Sequence, residues 1–148
     1  MRASSSLLLM TVLLVFFLIF LPAYAQHDEP EEKNDVLQGT IPGMEIENIM
    51  TTPLESAEGK EVIVSKLIVP PNTTFPKHWH PGEEFIYVLE GTAIVWQEGK
   101  PETQLNEGDV FKVSLKQVHT AKTGEVGATV LVFRVHETGQ PVRVNVED

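Results

Sequence analysis

An all-β fold, a sandwich or barrel of about eight short strands, is what three features of this sequence predict. Short runs rich in Val, Ile, Thr and aromatic residues recur from residue 41 onward, and such residues suit a pleated, half-buried surface. Turn signals built on Gly, Pro and Asn separate them. No window in that part shows a convincing 3.6-residue apolar period.

Taken in order, the chain begins with a segment that belongs to no such fold. Residues 7–21 are apolar apart from Thr11, follow Arg2, and lead into Ala23-Tyr24-Ala25 ahead of Gln26. That is the pattern of a secretory signal peptide. As a helix the run would be ~22 Å long, short of the ~30 Å hydrocarbon core of a bilayer. Residues 1–25 are therefore expected to be a cleaved signal peptide rather than a retained anchor. The protein is then exported, to the periplasm of a Gram-negative bacterium and otherwise to the medium. Residues 26–40 are acidic with few apolar side chains, which predicts a flexible arm. His27 in that arm reads as a solvated residue.

The β domain is expected over 41–148. Residues 44–49 alternate apolar and polar, as a half-buried strand does. Glu58-Gly59-Lys60 turns into 62–69, a long β-branched run that Pro70-Pro71-Asn72 breaks. After Pro81-Gly82, residues 84–89 read as a strand, and 92–96 as another. Glu98-Gly99-Lys100 reads as a hairpin turn, 102–105 returns, and 110–113 follows the turn at 106–109. Residues 128–135 are almost wholly apolar, which predicts a strand covered on both faces. Residues 142–146 alternate and end the pattern.

Charge and composition exclude some functions. Without residues 1–25 the chain has 123 residues, with 10 basic side chains against 21 acidic ones and a net charge of −11. Nucleic acid and anionic membranes are poor partners for such a surface. The absence of cysteine leaves no disulfide, no lipid attachment and no thiolate ligand, so any metal must be held by nitrogen and oxygen.

The chemistry concentrates in residues 74–91. His78 and His80 are two apart, so on an extended strand both imidazoles leave one face. Glu84 returns toward them from the next strand. Two neutral imidazoles and a carboxylate on rigid strands suit a borderline divalent metal. His119 is a fourth candidate. A chance pair of surface histidines is the competing reading of the His78-x-His80 pattern alone.

The spacing resembles the first motif of the cupin superfamily: His78-x-His80, three residues, Glu84, six residues, Gly91. The segment from Gly108 to His119, eleven positions on, resembles the second, with the sixteen residues 92–107 between them. Departures fall at Asn72, where a glycine is expected, and at Ser114, Lys116 and Thr123, in place of proline, glycine and asparagine. They bear on the turn before His119 and not on the ligand position.

The resemblance implies a double-stranded β-helix, the cupin jelly-roll barrel, and an agreement with the strand pattern. It further implies that His78, His80, Glu84 and His119 hold one divalent transition metal: Fe, Mn, Ni, Cu or Zn. It makes Glu84 a candidate base as well as a ligand, provided the apolar barrel raises its pKa toward neutrality. Two function classes stay open. One is a metal-dependent enzyme, such as an oxygenase, acting on a small organic molecule; the other is a non-catalytic module that binds a metal or small molecule. A metal-stabilised homodimer is a third reading. Glu83 and Trp79 should face away from the site, Lys77 reads as surface charge, and His136 as a rim residue. Phe75, Phe85, Tyr87, Trp96 and Phe111 read as core first and pocket lining second.

Overall fold

The computed structural model describes residues 41–146; the expected signal peptide (1–25) and arm (26–40) lie outside them. Every regular element among the described residues is a strand: β1 (Glu45–Pro53), β2 (Lys60–Val69), β3 (His78–Trp79), β4 (Gly82–Gln97), β5 (Thr103–Asn106), β6 (Val110–Val113), β7 (His119–Glu137) and β8 (Val144–Asn145). All pairings are antiparallel.

The long strands β4 and β7 run the length of the fold side by side, from Gly82 opposite His136 to Gln97 opposite His119. One half of this ribbon is flanked by β2 and β6, with β1 beyond β2. The other half is flanked by β5 and β3, with β8 beyond β3. The ribbon thus passes from one layer to the other, as a jelly roll requires. The crossing falls near Gly91, where the register shifts and the backbone takes φ 76°. A side chain there would sit 2.3 Å from the Gly127 carbonyl oxygen, so only glycine lets the strands approach.

Alternation along β4 explains the interior. Glu84, Ile86 and Val88 face inward, while Tyr87 faces solvent. Opposite them on β7, Arg134, Val132 and Val130 point the same way. The apolar core gathers Leu67, Phe75, Ile86, Val88, Val95 and Val132, among others. Burying a valine such as Val88, which is fully enclosed, stabilises the fold by roughly 1.5–3 kcal/mol.

Two strand expectations need correction. Residues 92–96 are not a separate strand but the second half of β4. Residues 128–135 belong to the 19-residue β7, and are covered on one face only: Phe133 is 38% exposed. Among the described residues the strand lies inside one curled sheet with no second layer on its outer side, so outward apolar residues such as Phe133 stay in contact with water.

Candidate metal centre

Strand pairing brings together three histidines that the sequence separates by up to forty-one positions. His78 on β3 pairs directly with His119, the first residue of β7. His80 follows β3 by one residue. Their ring centroids lie 4.3 Å apart for His78 and His119, 4.9 Å for His78 and His80, and 5.2 Å for His80 and His119. One ring nitrogen from each lies within 4.8 Å of the others, and all three residues are buried.

The backbone sets which nitrogen faces the centre. Nδ1 of His78 lies 2.8 Å from the Pro76 carbonyl oxygen, Nδ1 of His80 2.6 Å from that of Val142, and Nδ1 of His119 2.9 Å from that of Gln117. A carbonyl only accepts, so each Nδ1 carries the proton and donates it. Each Nε2 is left with its lone pair, which is how metal-binding imidazoles are held. The Lys116 amide donates to the His80 carbonyl at 3.2 Å and ties the loop before His119 to the first histidine segment.

Burial, followed by the positive character of neighbouring His119 and His80, lowers the His78 pKa from 6.5 to about 3, against the raising influence of the Pro76 carbonyl and Glu84. His78 is therefore a neutral donor near pH 7. His80 Nε2 is buried without a hydrogen-bond partner, although Glu84 Oε2 is 2.9 Å away. With the proton on Nδ1, these are two electron-pair donors facing each other. A cation relieves that opposition, so the residues present fit a metal of the nitrogen- and oxygen-preferring kind.

Glu84 flanks the three-histidine cluster. Its Oε1 lies 3.6 Å from His119 Nε2. Arg134 Nε donates to Oε2 at 2.8 Å, inside the barrel. Burial alone pushes the Glu84 pKa up, but neighbouring His80 and then Arg134 outweigh it and hold the carboxyl well below its ordinary range. This direction is opposite to the rise toward neutrality that a base role needs, with His80 the larger cause and the buried guanidinium of Arg134 the next.

Arg134 was not singled out from the sequence, though a signal existed. It shares the inward parity of Val130 and Val132, so a charge in that apolar run had to point into the barrel. Arg143, just before β8, is also buried and faces the same interior. His136 is no rim residue: it is fully buried on β7, opposite Gly82. A side chain on Gly82 would come within 2.2 Å of the His136 Cβ, so this glycine serves close strand approach rather than a turn alone.

The remaining expectations resolve simply. Glu83 points outward, where Lys112 pairs with it. Trp79 is half-buried, with the Lys116 ammonium 6.0 Å from its ring centre. Of the five aromatic candidates only Phe75 lines the cavity beside the histidines. That cavity has a volume of about 60 Å³, and its wall is formed by His78, Glu84, Arg134 and Arg143 together with apolar residues such as Val69 and Ile86.

Residues 65–134 match the family model for the cupin domain. These residues therefore form a cupin domain. Similar solved structures include a cupin-like protein from Thermotoga maritima, with TM-score 0.58 and 18% identity over 71% of this chain and 77% of that one. The polyketide cyclase RemF from Streptomyces resistomycificus gives 0.54 and 24% over 71% and 72%. The DMSP lyase DddQ from Ruegeria pomeroyi gives 0.51 and 24% over 61% of this chain and 44% of its own length, so this chain spans less than half of that lyase. These likenesses show the fold. No curated protein matches the sequence.

Proposed function

We propose that the domain is an exported, mononuclear metal-binding cupin that acts as a metal-dependent enzyme, of the oxygenase or a related class, on a small organic molecule. The observation that carries this reading is the convergence of three Nε2 lone pairs, each fixed by an Nδ1 donation to a backbone carbonyl. His78, His80 and His119 are the nitrogen ligands, and Glu84 is the oxygen donor beside them. When bound, a divalent transition metal would supply Lewis-acid polarisation or dioxygen activation. The chain's own residues do the rest. Arg134 holds the Glu84 carboxylate ionised and oriented, and the apolar wall keeps bulk water from the organic part of a substrate.

The polyketide cyclase and the DMSP lyase show different activities on this fold, so the fold does not select the reaction. A second reading, a binding module without turnover, is favoured by one observation: Glu84 is tied to Arg134 with a lowered pKa, which makes it a weak base. Metal analysis of protein exported from its own host tests both readings, followed by oxygen uptake with a panel of phenolic and keto compounds. Stoichiometric metal with substrate-dependent uptake supports the enzyme; stoichiometric metal without turnover on the panel supports the module. A mass beginning at Gln26 supports export by signal cleavage. In His80→Ala the metal content should fall and the melting temperature with it, because metal-binding energy is linked to folding. Unchanged metal content in that variant rules out the three-histidine assignment.

A further inference from the structure

One oxygen of Glu84 is approached from two sides. His80 Nε2 lies 2.9 Å from Oε2, and Arg134 Nε donates to the same atom at 2.8 Å. Strand pairing fixes the second contact: Glu84 on β4 stands directly opposite Arg134 on β7, and each is 5% exposed. The pair is thus built into the sheet, where its charges are little screened. An oxygen that accepts from a guanidinium has committed electron density to that bond, and the positive charge opposes a second cation beside it. The histidines are placed differently. Their ligand nitrogens lie within 4.8 Å of one another, a grouping that does not include Glu84. Each ring is oriented by a neutral carbonyl, which strengthens its lone pair instead of competing for it.

We propose that Arg134 is a positioning residue that restrains the metal affinity of this centre. Its guanidinium and the ion compete for Oε2 of Glu84, so the ion rests chiefly on His78, His80 and His119, and Glu84 stays a weak, displaceable donor. The inference rests on the proposed metal site and adds what limits its affinity. A carboxylate shared in this way yields its place readily to a substrate donor, as an open catalytic site requires and a closed structural site does not.

The test is titration of the full exported protein, freed of metal, with Co²⁺, read by the visible absorption of the bound ion and against a competing chelator. Arg134→Met should bind Co²⁺ about tenfold or more tightly than wild type, the scale of one charge-assisted hydrogen bond. Its absorption spectrum should change as Glu84 engages the ion fully. Adding Glu84→Gln to Arg134→Met should abolish both the gain and the spectral change, which isolates the coupling between the two residues. Arg134→Lys keeps the positive charge and should stay nearer to wild type than to Arg134→Met. Where Arg134→Met does not fold, Glu84→Gln alone decides. A loss of affinity below about tenfold upholds the inference, and a loss as large as that of His80→Ala overturns it. Equal or weaker affinity in a folded Arg134→Met also overturns it, as does a gain that persists in the double variant. A wild type that binds no Co²⁺ overturns the metal reading and this inference with it; one that binds Co²⁺ without any response to Arg134 overturns this inference alone.

Discussion

At one end of the barrel interior Glu84, Arg134 and three histidines face one another; two and four residues further along β4, Ile86 and Val88 meet Val132 and Val130. Same strand, same face, opposite physics. The apolar stretch contributes stability by removing hydrocarbon from water. The polar stretch costs desolvation at every group and recovers it only through specific partners: carbonyls for each Nδ1, a guanidinium for the carboxylate. A region that costs stability and is held in place by such partners is where function is expected to reside.

The sharpest way to break this comparison is to strand one partner of the buried pair. Arg134→Ala leaves the buried Glu84 carboxylate without its guanidinium, and should cost about 3–5 kcal/mol in denaturant unfolding. Replacing both, as Arg134→Met with Glu84→Leu, should recover most of that loss. A double variant as unstable as the single one would mean that the pair is not a net burden on the fold.

Acid acts on the polar end. His78 has its folded pKa lowered from 6.5 to about 3, so between those values the unfolded chain binds more protons than the folded one. Glu84, lowered from 4.5, acts in the same direction below that value. Stability is therefore fully present above about pH 6.5 and lost progressively as pH falls. Melting temperatures measured from pH 7 down to 4 should decline, and the decline should flatten in His78→Gln over the upper part of the range. A pH-independent wild type contradicts the buried neutral imidazole.

At the apolar end Val88→Ala removes about two methylene equivalents and leaves a small void, a cost of about 2 kcal/mol. Metal content should stay at the wild-type level, because Val88 belongs to the apolar core. Loss of metal in this variant would show that the two ends are not separable.

Most of this architecture was legible because strand alternation is local. The parity of His78 and His80, the strand at 62–69 and the inward Glu84 all follow from a period of two. Non-local features were less legible. That 128–135 is covered on one face only depends on which layers surround it, which no local window contains. The convergence of His119 on His78 became readable only through the spacing of a known motif, not through any local pattern. His136 was misplaced for a related reason: its burial depends on the missing side chain of Gly82, fifty-four positions earlier. Arg134 was readable and was overlooked, since its parity with Val130 and Val132 put it inside.

The turn before His119 offers the smallest and most specific test. Where the family pattern has glycine, this chain has Lys116, and its backbone keeps the left-handed conformation at φ 56°. Asn72, at the other departure, does the same at φ 54°, a conformation asparagine tolerates far better than lysine. The backbone geometry is thus preserved while the residue is not, and the local strain is of order 1–2 kcal/mol. Lys116→Gly relieves that strain but frees the unfolded chain, so the net gain should be up to about 1 kcal/mol. Lys116→Val, β-branched in a left-handed position, should lose stability instead. Thermal unfolding should rank glycine above lysine above valine, with the three-histidine site intact in the first two. A glycine variant less stable than wild type would mean that the Lys116 side chain, whose ammonium lies 6.0 Å from the Trp79 ring centre, contributes more to this turn than its backbone costs.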